Sequence, residues 1–264
     1  MARLIALDVD GTILNSESKL TEPVKKSILN LSQQGVKIII VTGRNSFSVN
    51  RLLGQLGLDL SYVSSAGATI YNAEQKKFIG SYTLSKSVVR PLVEAGVEAG
   101  AGIFVEQPNN LLWYGADEFL GWIEKHGILA MRRVESPEEM MTQDVLKITF
   151  VNHYEKHLPL EARIREMNLP IFMVYSMPIY LEATAAGINK GAAIQELTRS
   201  LGVDLADVLA VGDSENDLSM FEMAGTAVAM GNAAQKVKDA ADYVAPTNDE
   251  DGLAWVLNNL ETVR

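Results

Sequence analysis

Two carboxylates, Asp8 and Asp10, stand in the stretch LDVDGTI, directly after the apolar run Leu4 to Leu7 and directly before Gly11. A strand puts residues i and i+2 on one face, so both acids point the same way. Like charges that close repel unless a cation lies between them or one carries a proton, and either arrangement is usable chemistry. A strand-end turn, with Asp10 capping the backbone and Gly11 at positive φ, is the structural alternative for this pair taken alone.

Three further groups have the same character. Thr42-Gly43-Arg44 closes the apolar run VKIIIVTGR (36–44) and precedes a helical pattern, so a hydroxyl and backbone N–H groups can face an oxyanion. Lys190, in GINKGAAI, opens an amphipathic helix. The segment GDSEND, Gly212 to Asp217, packs acids and an amide after another apolar run, a density of oxygen that hydration or a hard cation would balance. Each has a plain explanation in isolation: a glycine turn, a solvated lysine, or an N-cap by Asp213 or Ser214 for a helix beginning near Asn216.

Together the four groups fit a phosphoryl-transfer site. Asp8 is the expected nucleophile, attacking phosphorus in line to give an aspartyl-phosphate. Asp10 is the expected acid for the leaving oxygen and then the base for water. Mg²⁺ is expected on Asp8 and Asp213 with the Asp10 backbone carbonyl, since this ion takes few protein oxygens and keeps waters. Thr42, the amides around Val9 and Gly43, Asn216 and Lys190 are expected to hold the phosphoryl oxygens. Asp217 is expected behind them, orienting Lys190 or waters on the metal.

The elements that must position these residues are legible as alternation. Apolar runs at 3–10, 36–44, 62–68, 207–217, 226–230 and 242–245 predict about six strands, separated by helical patterns at Pro23–Gln34, Ser46–Leu56, Asn232–Ala241 and Gly252–Leu260. Strand, helix, strand in series implies a doubly wound, mostly parallel sheet with a Rossmann-like order. The chemical residues fall at strand carboxyl ends, where such sheets bind ligands. Between Thr83 and about Glu182 the pattern changes. Strands at 103–106, 111–114, 146–151, 172–175 and 179–182, two pairs joined by the short turns QPNN and SMP, alternate with helices at Ser85–Gly100, Asp117–His126 and Tyr154–Met167. The expectation is an α+β domain at 83–183 inserted into a core made of 1–82 and 184–264.

These motifs, DVDGT, the TGR threonine, the lysine of NKG, and GDSEND, in this order, resemble those of the haloacid dehalogenase-like hydrolases. The large insert between the second and third motifs resembles the Cof-type phosphatases. The resemblance covers essentially the whole chain and implies an α/β cap over the active site, with selectivity for the leaving group in that cap. Glu106, Trp113, Arg132, Lys147 and Tyr175 are candidates there, each with a structural or surface role as the commoner explanation for its type. Cap core is expected for Trp113, and a surface position for His126, His153 and His157. Many Cof-type members carry Asn-Gly-Ala after the third strand, whereas this chain has Ala66-Gly67-Ala68, a departure that bears on substrate preference.

Composition narrows the rest. The net charge of −10, from 33 acids against 23 bases, with no basic stripe, argues against a grip on nucleic acid. Cysteine is absent, so disulfides, thiolate metal sites and a cysteine nucleophile are excluded. No leader-like N-terminus and no membrane-length apolar run is seen, which makes a cytoplasmic protein acting on a small phosphorylated metabolite the expectation. A receiver domain, a phosphomutase on the same core, and a non-catalytic phosphate-binding regulator are the rivals. A nucleophile on the first strand with a proton-shuttling acid two places on favours turnover over a lasting signal.

Overall fold

The computed structural model describes residues 4–115 and 131–263. The chain begins with β1 (Leu4–Leu7), α1 (Glu22–Gln33), β2 (Lys37–Val41), α2 (Ser46–Leu56), β3 (Tyr62–Ser64), β4 (Thr69–Asn72) and β5 (Lys77–Ser81). It then forms α3 (Lys86–Glu98), β6 (Gly102–Gln107), β7 (Asn110–Tyr114), β8 (Met131–Arg133), β9 (Lys147–Val151), α4 (Tyr154–Glu166), β10 (Ile171–Met177) and β11 (Tyr180–Ala185). It closes with α5 (Lys190–Leu201), β12 (Val208–Gly212), α6 (Leu218–Phe221), β13 (Thr226–Ala229), α7 (Gln235–Lys238), β14 (Tyr243–Val244) and α8 (Gly252–Asn258). Two compact units result: residues 1–80 with 189–264, and residues 81–188.

In the first unit the strand order is β14-β13-β12-β1-β2-β3-β4-β5. The six strands from β14 to β3 are parallel, and β4 returns antiparallel to β3. A sheet covered on both faces requires apolar side chains on both sides of each strand, and every residue of β1 is buried. Val24, Ile28 and Leu31 of α1, Val49, Leu52, Leu53 and Leu56 of α2, and Leu253, Val256 and Leu257 of α8 join Ile5, Leu7, Ile38, Ile40, Leu209 and Val211 in its core. Helix α2 starts where Asn45 accepts from the Ser48 N–H at 2.9 Å and stops at Gly57, whose φ of 69° ends the helical run.

Two expectations are corrected here. The sheet has eight strands among the described residues rather than about six, because the hairpin of β4 and β5 extends its edge. The helix expected over Asn232–Ala241 shrinks to Gln235–Lys238. Asn232 instead stays in a turn, where its side chain bonds backbone and carboxylate groups of neighbouring loops.

Among the described residues the second unit forms a six-stranded sheet ordered β10-β11-β9-β6-β7-β8, antiparallel except at β7–β8. One face carries Ile103, Val105, Leu112, Ile148, Phe150, Leu181 and Ala183 against Val89, Leu92 and Val93 of α3 and Leu160 and Ile164 of α4. The other face is mixed. Trp113 packs with Phe104, Val151 and Tyr180, as a core residue, and beside them Glu106, Lys147, Thr149 and Glu182 are buried as well. The expected helix at Asp117–His126, with His126, lies outside the described residues. His157 is not at the surface as expected: it is fully buried, one ring nitrogen bonded to the Ile179 carbonyl at 3.0 Å, and burial holds its pKa below the usual range.

Candidate active site

Parallel register brings the ends of three central strands level. Leu7 lies opposite Ile40 and Val211, so Asp8, the Thr42 loop and Asp213 emerge side by side. The Asp8 N–H donates to the Val211 carbonyl at 3.0 Å and the Thr42 N–H to the Val63 carbonyl at 3.0 Å, which fixes both positions through backbone alone.

Lys190 enters from α5. Asn189 caps this helix by accepting from the Ala192 N–H at 2.8 Å, and Lys190 is the first helical residue. Its Nζ, fully buried, donates to Asp8 Oδ1 and to Asp217 Oδ1, each at 2.6 Å. Burial alone would lower the lysine pKa, yet the carboxylates of Asp217 and Asp8 raise it above its ordinary value and keep the charge in place. The other oxygen of Asp217 accepts from the Asp213 and Ser214 N–H groups, both at 2.9 Å. Gly212 allows this turn: a Cβ there would lie 2.5 Å from the Asp217 carboxyl carbon. Asp217 thereby ties the GDSEND loop to the lysine.

Asp8, Asp213 and Asp217 present oxygens within 4.8 Å of one another, a set that could hold a metal ion. Burial above all pushes Asp8 up to about 7, with Lys190 opposing and Asp217 adding to the rise. Burial, then the charges of Asp8 and Asp217, push Asp213 up to about 9. Lys190 therefore leaves negative charge uncompensated. Asp213 Oδ1 is buried and accepts no hydrogen bond, and its Oδ2 lies where a Cβ on Gly11 would come within 2.1 Å. An all-oxygen donor set with an orphaned carboxylate oxygen fits a hard divalent cation. Asp217 is already committed on both oxygens, so Asp8 and Asp213 are the better placed of the three.

Other expected residues converge on the same strand ends in different ways. Thr42 is buried and its hydroxyl accepts from the Arg44 N–H at 3.1 Å. Asn216 is buried, its side-chain oxygen accepting from the Ser214 hydroxyl at 2.8 Å. Val9 is buried, and its carbonyl accepts from the Leu14 N–H at 2.9 Å. Gly43 sits between Thr42 and Arg44 in the loop after β2. The Asp10 side chain turns to Arg44, whose Nε and Nη2 donate to its two oxygens at 2.8 and 2.6 Å. Sequence reasoning passed over Asn232, which donates to the Gly11 carbonyl at 3.0 Å and to Asp213 Oδ2 at 3.1 Å. Its position just after the run TAVAM, another strand end, was the available signal.

The candidates in the second unit divide by environment. Lys147 is buried and donates to Glu182 Oε1 at 2.9 Å, with Glu106 opposite Lys147 in the strand register. Arg132 is exposed and pairs with Glu139 at 3.0 Å. The Tyr175 hydroxyl donates to Glu161 Oε2 at 2.9 Å, and burial with that carboxylate raises its pKa. His153 is exposed. No helix among the described residues is long and apolar enough to cross a membrane.

Comparison with known proteins agrees with the geometry. A 5-amino-6-(5-phospho-D-ribitylamino)uracil phosphatase of Bacillus subtilis, YcsE, is 30% identical over 261 residues, covering 97% of this chain and 96% of that one. A solved haloacid dehalogenase-like hydrolase from Bacteroides thetaiotaomicron superposes with a TM-score of 0.86 at 28% identity, covering 98% of this chain and all of the other. One from B. subtilis superposes with a TM-score of 0.90 at 25% identity, covering 98% and 99%. The model of the haloacid dehalogenase-like hydrolases matches residues 5–257, and the chain belongs to that family.

Proposed function

We propose that this enzyme is a Mg²⁺-dependent phosphatase of a small phosphomonoester, a sugar phosphate or similar metabolite, working through an aspartyl-phosphate on Asp8. The observation that carries it is a buried lysine gripping Asp8 and Asp217 beside an Asp213 oxygen that accepts no hydrogen bond. The phosphorylated ribityl compound in the name of the B. subtilis relative supports a small phosphorylated substrate.

Lys190 holds Asp8 Oδ1, so the carboxylate is fixed for in-line attack by its other oxygen on phosphorus. A bond forms between that oxygen and phosphorus as the bond to the leaving oxygen breaks, and Asp10 delivers the proton that the leaving oxygen needs. In the second step Asp10 takes a proton from water as the water oxygen bonds to phosphorus. The acyl phosphate then breaks, freeing phosphate and restoring Asp8. Thr42, Asn216, Lys190 and the amides of Val9 and Gly43 hold the phosphoryl oxygens while charge develops there. Asp8 and Asp213, with the Asp10 carbonyl, would hold Mg²⁺, whose chemistry is neutralisation of carboxylate and phosphoryl charge. Residues 83–183 serve in this assignment as the cap that selects the leaving group, and the remainder as the catalytic core.

Phosphate release from p-nitrophenyl phosphate and a panel of metabolite phosphates, with and without EDTA, tests the proposal. Release that EDTA stops and Mg²⁺ restores is expected, together with a loss of about 10⁴-fold or more in Asp8→Asn, as for other enzymes deprived of a nucleophile. Phosphate release that survives Asp8→Asn would exclude the covalent route.

A further inference from the structure

Arg44 is the cation nearest the proposed acid–base residue, and its contacts are specific. Both oxygens of Asp10 accept from the guanidinium, a two-bond fork whose planar geometry a lysine cannot reproduce. The backbone on which the fork stands is pinned from both sides. The Arg44 N–H donates to Thr42 Oγ1, the Ser65 N–H donates to the Arg44 carbonyl at 2.8 Å, and the Ala66 N–H donates to the Thr42 carbonyl at 3.1 Å. The side chains themselves are less enclosed: Arg44 retains 18% and Asp10 31% of side-chain exposure, against 1% for Lys190. The loop is fixed while the ion pair stays within reach of an incoming anion.

A carboxylate with both oxygens accepting from a guanidinium cannot at the same time give a proton to a leaving oxygen. Something must draw the guanidinium away. A phosphoryl dianion does this in chemical terms, because it offers the same cation a stronger bidentate partner than a single carboxylate. Thr42, assigned to the phosphoryl oxygens, is two residues from Arg44 and bonded to its N–H.

We propose, on the basis of the phosphatase assignment above, that Arg44 is a positioning residue that parks Asp10 as a carboxylate in a fork until the substrate phosphate takes over the guanidinium and frees the carboxylate to take up a proton from solvent and pass it to the leaving oxygen. Binding and readiness of the acid are thereby coupled through one side chain. Water entering without a phosphate meets an Asp10 that is held away from proton transfer.

The leaving group provides the test. kcat/KM reports steps through the first irreversible one, and p-nitrophenolate leaves with little help from an acid, whereas an alkoxide requires it. In Arg44→Ala nothing parks Asp10, so the acid stays available and what is lost is the grip on phosphate: kcat/KM should fall by about 10- to 100-fold, and by the same factor for β-glycerophosphate as for p-nitrophenyl phosphate. Arg44→Lys should recover part of the binding of both esters without changing the ratio between them, whereas Asp10→Asn should slow β-glycerophosphate the more, alone or combined with Arg44→Ala. A loss in Arg44→Ala confined to β-glycerophosphate, or no loss for either ester, overturns the proposal while leaving a phosphatase. A wild-type enzyme that releases phosphate from neither ester overturns both. A crystal of the wild-type protein with tungstate gives a readout independent of any variant: the two Arg44–Asp10 bonds should be broken with the anion bound, and an intact fork beside bound tungstate overturns the proposal.

Discussion

Each unit of this molecule buries a lysine, and the two lysines live in different ways. Lys190 lies at the carboxyl end of a parallel sheet between two carboxylates on separate strand-end segments. Lys147 lies within an antiparallel sheet, bonded to Glu182 near its neighbouring strand's middle, with Glu106 across from it. An orphaned oxygen accompanies each: Asp213 Oδ1 in the first unit and Glu182 Oε2 in the second. The difference is in what surrounds the pair. Around Lys190 the carboxylates outnumber the cation and two of them have pKa values driven upward, an unstable charge balance that a ligand can relieve. Near Lys147 no carboxylate cluster capable of holding a metal is formed among the described residues. Buried charge alone does not mark a site; unrelieved charge at converging strand ends does.

Removing each lysine separates these cases most strongly. Either Lys190→Met or Lys147→Met strands a buried carboxylate and should cost about 3–5 kcal/mol in a urea melt. Lys190→Met should in addition lower p-nitrophenyl phosphate turnover per folded molecule by about 100- to 1000-fold, since it removes the donor that holds Asp8, the proposed nucleophile. Lys147→Met should leave that turnover unchanged. A Lys147→Met protein that is stable but inactive toward this small ester would erase the distinction.

A smaller perturbation tests how the lysine is held. In Asp217→Asn one position of the side chain must carry an amide N–H, and both positions now accept: one from Lys190 Nζ, the other from the Asp213 and Ser214 N–H groups. Either orientation sets donor against donor. An activity loss of about 10- to 100-fold is expected, of the size seen when groups that orient metal ligands are altered. Wild-type kinetics in this variant would show that Lys190 needs Asp8 alone.

The contrast between the units also explains what the sequence made legible. The four strand-end motifs could be found because strand ends in a parallel sheet are contiguous in sequence, so DVDGT and GDSEND each deliver several residues to one place. Lys190 was legible only through its order among them. The Arg44–Asp10 fork spans 34 positions and depends on where a long side chain turns, which no periodicity encodes. Asn232 was hidden inside a pattern that looked helical, because Ala233, Ala234, Gln235 and Lys236 are good helix formers while the asparagine finds better bonds in a turn. In the second unit the strands at 103–106 and 111–114 announced themselves by residue type, but the Lys147–Glu182 pair needs the order β11-β9-β6, a long-range fact. The edge hairpin of β4 and β5 and the short β8 were missed for the same reason: edge strands add little apolar pattern.

Metal and pH probe the charge imbalance directly. Asp8 and Asp213 have folded pKa values raised to about 7 and about 9, above the ordinary aspartate value, with burial as the leading cause. Groups raised in this way contribute their stability in full below about pH 4, the unfolded value, and lose it as pH rises through the folded values. The metal-free protein should therefore lose stability from these two residues between about pH 4 and pH 9. Mg²⁺, binding the ionised carboxylates, should raise the thermal midpoint more at pH 8.5 than at pH 6, by about 2–4 °C for each kcal/mol recovered in a chain of this size class. A Mg²⁺-induced shift that is flat or shrinks with pH would place the ion elsewhere. Lys147 and Glu182 provide the internal control, since Lys147→Met should leave the pH trend of that shift intact.

The gentlest test concerns backbone rather than charge. Ser65 and Ala66 both have positive φ, 55° and 56°, followed by Gly67 at 107°. The one non-glycine residue of positive φ described in the second unit is Asn168, a type that tolerates this region. An alanine in the left-handed region costs about 1–2 kcal/mol, while Gly in its place costs about 0.4–1 kcal/mol through the freer unfolded chain. Ala66→Gly should therefore stabilise the protein by less than about 1 kcal/mol, visible as a small rise in the urea midpoint. Ala66→Asn should change it in the same direction. The N–H of residue 66 still reaches the Thr42 carbonyl in both variants, so Thr42 and Arg44 keep their places and turnover should not fall. A lower midpoint in Ala66→Gly would mean that the buried methyl group outweighs the strain, and that the loop beside Arg44 is held by packing instead of stored conformational energy.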